Sequence, residues 1–279
     1  MTNKINANNF SLNLINSLKK IGIKKGDTIY LGINLGKTYH NFYKNMFTKK
    51  TLLDSKTFYS NQVLNILKKY LTNKGTIIVP SFYFSFFKKK FYNNKTTKTN
   101  LGFFENNFLK QKNISRSDHP IFSISCWGKN KNKIIHPCGP FSFGQNSPFN
   151  NFLKYKVKFL NIGNLFIETC TYVHHLEHLN GINHRYYKAA TGTIIQNEIR
   201  KKKTYYALVR YKSLKAEKAE YKIGKLIRDK KLISETNQFG IYTSAINASE
   251  VYNIGMKALI NNPSFFMSKK IIVKNQDKS

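Results

Sequence analysis

The stretch T-Y-V-H-H-L-E-H at residues 171–178 is the densest concentration of chemically competent side chains in the sequence. At about 100° per residue on an α-helix, His174, Glu177 and His178 share one face, and His175 points nearly opposite Glu177. A carboxylate one turn from an imidazole fixes its tautomer, orients it and raises its basicity, which makes His174 with Glu177 a candidate general-base dyad. The same letters fit H-x-x-E-H, in which His174 and His178 would hold zinc for a hydrolase, with Glu250 as the candidate third ligand. A polar helix face carrying surface histidines is the third way to read them.

A helix must carry that cluster, and the sequence around it alternates helices with strands. Phe10, Leu14, Leu18 and Ile21 follow a helical spacing that Gly22 closes, and a turn at Gly26-Asp27 leads into the strand I-Y-L-G-I at 29–33. Residues 37–60 are lysine-rich and aromatic without a period and read as an irregular insertion. A second helix fits Gln62 to Leu71, and the turn at 73–75 leads into the strand T-I-I-V, which stops at Pro80. Strands are expected at 121–127 and 157–163, a helix from Glu168 to Leu179, and a hairpin from Thr191 to Tyr211 with its lysine-rich tip at 200–203. A last helix is expected from a Ser249 cap through Leu259. Helix, glycine turn and apolar strand in repetition predict one α/β domain around a mixed central sheet flanked by helices, over residues 10–272, with polar tails at 1–9 and 273–279.

Composition sets the boundaries of function. A chain of 279 residues with 41% hydrophobic and 14% aromatic content can bury a substantial core. The sequence shows no signal-like apolar stretch near its start and no window near the roughly 18 apolar residues of a membrane span, so a cytoplasmic setting is expected. Its three cysteines, Cys126, Cys138 and Cys170, have no metal-like spacing.

The formal charge of +34 raises the alternative of a nucleic-acid-binding protein. Only five of the 47 basic residues are arginine, the side chain suited to bidentate recognition. Lysine, Asn, Ile, Phe and Tyr are all drawn from A- and T-rich codons, so a base-composition bias enriches them together. The basic clusters at Lys88–Lys90, at Lys129, Lys131 and Lys133, and at Lys201–Lys203 also lie far apart in sequence. Solvated lysine is the better reading, with no specific nucleic acid as partner.

Five ordered segments resemble one enzyme family. G-I-K-K-G-D-T-I-Y (22–30), G-T-I-I-V-P-S-F (75–82), R-S-D-H-P-I-F-S (116–123, preceded by Gly102 and Glu105), S-F-G-Q-N-S-P-F (142–149) and T-Y-V-H-H-L-E-H-L-N-G-I-N-H-R (171–185) resemble, in order, segments of the aminoglycoside 3-N-acetyltransferases and their relatives from polysaccharide and antibiotic gene clusters. The resemblance implies the antibiotic N-acetyltransferase fold. It also implies transfer of an acetyl group from acetyl-CoA, as co-substrate and without a metal, to a primary amine of an amino sugar.

Position by position, the family's catalytic pair falls on His174 and Glu177, and its nearby threonine falls on Thr171, which could steady an oxyanion. His119 and Arg185 are the implied acceptor-side residues, and an H-P pair can equally be a structural turn. Ser81 and Ser147 fall where such enzymes contact CoA. The family's V-H-S-S-L after the first strand is replaced by Leu31, Gly32, Ile33, Asn34 and Leu35, which leaves Asn34, Gly36 and Lys37 as donors to a pyrophosphate. The expected partner is a small-molecule amine, an aminoglycoside or a nucleotide-linked amino sugar, and a homo-oligomer is left open. With 13 acidic residues in all, the field of the chain favours the anionic, nucleotide-linked acceptor over a polycation.

Overall fold

Period-two alternation in three short strands sorts the apolar side chains into two cores. The computed structural model describes residues 7–38, 52–196, 198–211, 221–238 and 240–267. In β1 (Thr28–Ile33), β2 (Thr76–Pro80) and β6 (Lys158–Ile162), the residues Ile29, Leu31, Ile77, Val79, Leu160 and Ile162 face one way. Helices α1 (Ala7–Lys20), α2 (Leu52–Leu71) and α4 (Phe103–Leu109) cover that side with Leu14, Leu18, Leu67, Leu71 and Phe108. The alternate residues Tyr30, Ile78 and Phe159 face the other core, under α8 (Tyr172–Leu179), α9 (Tyr221–Asp229) and α10 (Ala248–Asn261). Strands buried on both faces read as continuous apolar runs, which is why 29–33 and 76–79 are visible in the sequence.

These strands sit in a seven-stranded sheet of order β4-β5-β2-β1-β6-β10-β9, completed by β4 (Ser115–Arg116), β5 (Ile124–Gly128), β9 (Ser234–Gln238) and β10 (Ile241–Asn247). The β2-β1-β6 centre is parallel, and the flanking pairs are antiparallel. The mixed α/β architecture expected from the sequence is the one observed. A second sheet of order β3-β7-β8 adds to it, formed by β3 (Phe91–Asn93), β7 (Arg185–Gln196) and β8 (Ile199–Arg210) around a core of Phe86, Tyr92, Ala190, Ile194 and Tyr205. No helix among the described residues is long and apolar enough to cross a membrane.

Several boundaries differ from the sequence reading. Helix α2 begins at Leu52, so the irregular insertion does not extend to residue 60, and residues 39–51 of it lie outside the described residues. Tyr59 and Ser60 are buried on the same helix as Val63 and Leu67, a stripe that the surrounding lysines and aromatics obscure. Strand β5 starts at Ile124, because Ile121 and Phe122 belong to the preceding turn. The final helix starts at Ala248 after Asn247 in extended conformation, so Ser249 lies inside it and is not the cap. The tails at 1–6 and 273–279 also lie outside the described residues; Ala7 already belongs to α1.

The hairpin brings distant lysines together. Lys201–Lys203 are in β8 itself, paired with Gly192–Ile194, and are not at a tip. Thr193 in turn pairs with Phe91, and its N–H donates to the carbonyl of Lys90 at 2.8 Å. Lys90 and Lys202 therefore lie about two strand spacings apart, roughly 10 Å, and two of the three basic clusters are neighbours across one sheet.

Close approach at Gly192 makes this packing possible. A Cβ there would meet the Lys90 carbonyl oxygen at 2.4 Å and Phe86 Cζ at 2.8 Å. Gly192→Ala should destabilise the protein by about 1–3 kcal/mol through overpacking against backbone. Thermal melting checks this, and an unchanged Tm would contradict the seating of β3 on β7.

Candidate active site

Cys170 breaks the helix that the sequence predicts over 168–179. Its φ/ψ of −79°/73° separates α7 (Phe166–Thr169) from α8, and Thr171 becomes the residue that opens α8. Val173 and Leu176 anchor α8 in the core. Three residues apart on it, His174 Nδ1 and Glu177 Oε2 meet at 2.7 Å.

Glu177 is the centre of a larger group. It is 1% exposed, and its other oxygen, Oε1, accepts from His184 Nε2 at 2.9 Å. Arg185 Nε lies 2.7 Å from Oε2 as an ion pair without hydrogen-bond alignment. Burial pushes the Glu177 carboxyl up; the Arg185 charge and the bonds from His174 and His184 more than offset that and hold it well below the usual carboxylate range. An ionised Glu177 paired with Arg185 makes a buried ion pair, which the two imidazoles complete by hydrogen bonding. With Nδ1–H given to the carboxylate, the neutral His174 carries its lone pair on Nε2, and its side chain is 21% exposed.

The other histidines of the cluster do different work. His175 is buried, takes the N–H of Gly144 on Nδ1 at 3.2 Å and stacks on Tyr172, and burial holds it neutral with a pKa lowered to about 3. It is neither a surface histidine nor dispensable. His178 meets the Tyr187 hydroxyl at 2.7 Å through Nδ1, on the strand that follows. Gly144, at φ +101°, has room for no Cβ, which would fall 2.4 Å from His178 Nε2. The third ligand that the zinc reading needs is not brought to His174 and His178: among the described residues, Glu250 included, no three His, Cys, Asp or Glu side chains form a metal-holding group.

The remaining sequence candidates divide. The Thr171 hydroxyl makes no capping bond to its own helix and stands beside the Tyr30 side chain. Asn34, Gly36 and Lys37 follow β1, where the parallel strands β1 and β6 end side by side and two cavities of about 550 Å³ each open. Gly36 and Asn164 line both cavities. Asn34 Oδ1 accepts the N–H of Lys37 at 2.9 Å, which shapes the turn. Gly32 leaves space that Thr169 fills, since a Cβ there would lie 2.5 Å from the Thr169 hydroxyl; Thr169 lines the cavity where the family pattern has hydroxyls on the strand.

Four candidates are turned inward. Ser81 is fully buried, bonded to Ser125 at 2.8 Å, and Ser147 is fully buried, its hydroxyl donating to the Gly144 carbonyl at 2.8 Å. Neither is brought to the cavities. His119 is 1% exposed, accepts the Phe122 N–H, and lies edge-on to Tyr205; burial lowers its pKa to about 4, so the structural turn is what the geometry shows. Arg185 is directed at Glu177. Sequence reasoning missed His184 because its contact with Glu177 crosses the turn at Gly181, where helical periodicity says nothing.

Comparison with known proteins follows the same lines. The family described as aminoglycoside 3-N-acetyltransferase matches residues 56–260. The chain is similar in fold to AAC-IIIb in its binary complex with CoASH, with TM-score 0.75, 14% identity, and coverage of 94% of this chain and 98% of that one. It is likewise similar to AAC-VIa bound to sisomicin, with TM-score 0.73, 14% identity, and coverage of 89% and 97%. YokD from Bacillus subtilis matches with TM-score 0.68, 20% identity, and coverage of 90% and 99%. No curated protein matches the sequence significantly.

The buried group makes a pH prediction. A carboxyl whose folded pKa is depressed contributes stability that is present above its unfolded value and is lost as pH falls. Glu177→Gln should therefore cost about 3–5 kcal/mol at neutral pH, by leaving Arg185 unpaired. It should also flatten the loss of stability between about pH 5 and pH 1. Denaturant titrations across pH measure both, and a variant with the native acid limb would contradict the assignment. His175→Ala should lower stability as well, by about 1–3 kcal/mol, because it strands the Gly144 N–H.

Proposed function

The chain belongs to the aminoglycoside 3-N-acetyltransferase family, and from that premise we propose that this N-acetyltransferase carries an acetyl group from acetyl-CoA to a primary amine of an amino sugar, with His174 as general base. The observation that carries the reading is the 2.7 Å contact of His174 Nδ1 with a buried, ionised Glu177, which in the neutral imidazole puts the proton on Nδ1 and the lone pair on Nε2 of a side chain that is 21% exposed. The acceptor nitrogen attacks the thioester carbonyl, the C–N bond forms, and His174 Nε2 takes the proton the nitrogen loses. The C–S bond then breaks, and the CoA thiolate receives a proton, so His174 returns to its neutral form. Thr171 is the candidate donor to the oxyanion.

Direct transfer is supported by the state of the thiols. Burial pushes all three thiols up, Cys126 and Cys170 in the core and the half-buried Cys138 to about 11, so none is poised to supply a thiolate for an acyl-enzyme. The two cavities at the ends of β1 and β6, of about 550 Å³ each, adjoin through Gly36 and Asn164 and are the candidate seat of the thioester. Lys37 and the backbone of Gly36 are the candidate anchors for its pyrophosphate. The family relative solved with CoASH supports this use of acetyl-CoA.

Local and global charge bear differently on the acceptor. Glu105 and Glu168 line the second cavity with Lys56. Burial raises the Glu105 carboxyl, against bonds from the backbone at Glu105 and Gly102, and Glu168 caps the N–H of Leu165 at 2.8 Å. One half-buried carboxyl suits a single ammonium better than a polycation, and the +34 field attracts the rest of an anionic molecule. The acceptor we favour is a nucleotide-linked amino sugar.

His174→Ala should lower kcat by about 10²–10⁴-fold and leave acetyl-CoA affinity nearly unchanged; steady-state kinetics with calorimetry tests it, and a fully active variant would end this reading. The kcat/KM for a nucleotide-linked amino sugar should exceed that for a deoxystreptamine aminoglycoside and fall as salt screens the field over about 8–10 Å. A preference for the aminoglycoside would refute the electrostatic choice and leave the chemistry standing.

A further inference from the structure

At the opposite edge of the main sheet, a third cavity of about 650 Å³ opens beside β4. It shares no lining residue with the two cavities at the ends of β1 and β6. Strand β4 is four places from β6 in the sheet order, about 19 Å at the usual strand spacing. The mechanism above uses none of its side chains.

Asp118 is one of the residues that line it. Only 9% exposed, it is one of the chain's few acidic residues, at the position within R-S-D-H-P for which the family pattern specifies no residue. Its Oδ2 accepts from Gln196 Nε2 at 2.6 Å and its Oδ1 from Asn94 Nδ2 at 3.4 Å. An ionised carboxylate has about four lone-pair sites, so these two bonds leave acceptor capacity. Beside it the Asn94 carbonyl oxygen is buried and has no hydrogen-bond partner among the described residues, a position that costs free energy until a donor arrives. Asn132 brings a further amide, its Oδ1 held by the Ser115 hydroxyl at 2.8 Å.

The charges around the cavity select what can fill these positions. Burial raises the Asp118 carboxyl, and His136 and Lys203 offset it only in part. Lys95 and His136 line the cavity with it, and Arg116, which also lines it, is turned to the carbonyls of Ser81 and Thr97. Acid and bases face this cavity together, so its lining matches neither a bare anion nor a bare cation throughout, and its amides add neutral donors and acceptors. What remains favoured is a neutral molecule with hydroxyls that both donate and accept. We propose that this cavity is a binding site for a neutral saccharide, with Asp118, Asn94 and Gln196 as the groups that hold its hydroxyls. The site is separate from the transferase centre and does not rest on the acceptor assigned there.

The alternative role for Asp118 is a purely structural tie between the R-S-D-H-P turn and the small sheet. Titrating the full-length ¹⁵N-labelled protein with N,N′-diacetylchitobiose and with maltotriose separates the two. The site predicts saturable amide shifts around Asn94, Asp118 and Gln196 with at least one of these sugars. Asp118→Asn keeps the shape of the side chain, and it should weaken that binding about tenfold or more, as expected for loss of a charged hydrogen-bond acceptor. Gln196→Ala should weaken it as well, and Glu105→Gln in the separate cavity should not. Failure of both sugars to shift these amides at millimolar concentration would overturn the proposal. So would shifts centred elsewhere, or native affinity in a folded Asp118→Asn variant.

Discussion

A carboxylate with 1% exposure cannot stay ionised without partners, and Glu177 has three: His174, His184 and Arg185. Much of the architecture around the candidate site follows from meeting that requirement. Helix α8 supplies the carboxylate and His174, and the chain must return after Gly181 so that His184 and Arg185 enter β7 against the same side chain. The main sheet carries the helix and the small sheet carries the counter-charge, so the ion pair ties the two sheets together. Breaking such a pair leaves a buried charge unmatched, which is why its removal costs more than a surface pair is worth.

The family-like motifs take on new roles in this setting. In S-F-G-Q-N-S-P-F, Gly144 gives its N–H to His175 and clears space for His178, while Ser147 fixes the turn through the Gly144 carbonyl. The motif seats α8, and its buried Ser147 lines neither cavity at the ends of β1 and β6. Arg116 of R-S-D-H-P sends its guanidinium to the carbonyls of Ser81 and Thr97 and to the Ser123 hydroxyl, and it lies over Tyr92. Ser81 belongs to that same buried polar knot through Ser123 and Ser125, while His119 bonds separately to Phe122 and the Tyr206 carbonyl. Such networks cost heavily when half satisfied, and this alone is enough to fix residue types at these positions.

What could be read in the sequence tracks the range of the forces involved. Alternation and helical spacing are local, so β1, β2, β6 and the His174–Glu177 pair were legible from residues a few places apart. The break at Cys170 was not, because Glu168 through Leu179 keeps a helical composition across it while α7 and α8 pack separately. Inward-turned Ser81, Ser147 and His119 look like ligand residues by type: Ser81 is held by a bond to the distant Ser125, while Ser147 and His119 close short turns with Gly144 and Phe122, and their burial by the rest of the fold is not written in those local letters. The lysine clusters at 88–90 and 201–203 are neighbours because β3 pairs with β7, a contact across about a hundred residues that no local pattern signals.

The central claim is that Glu177 fixes His174 with its proton on Nδ1 and its lone pair on Nε2. Two-dimensional ¹H–¹⁵N spectra of the imidazoles test it most directly, at a pH where His174 is neutral, with Glu177→Gln for assignment. The account predicts a protonated Nδ1 whose hydrogen-bonded proton is shifted downfield, an unprotonated Nε2, and loss of that signal in the variant. An unprotonated Nδ1 in neutral His174, or a tautomer unchanged in Glu177→Gln, would contradict it.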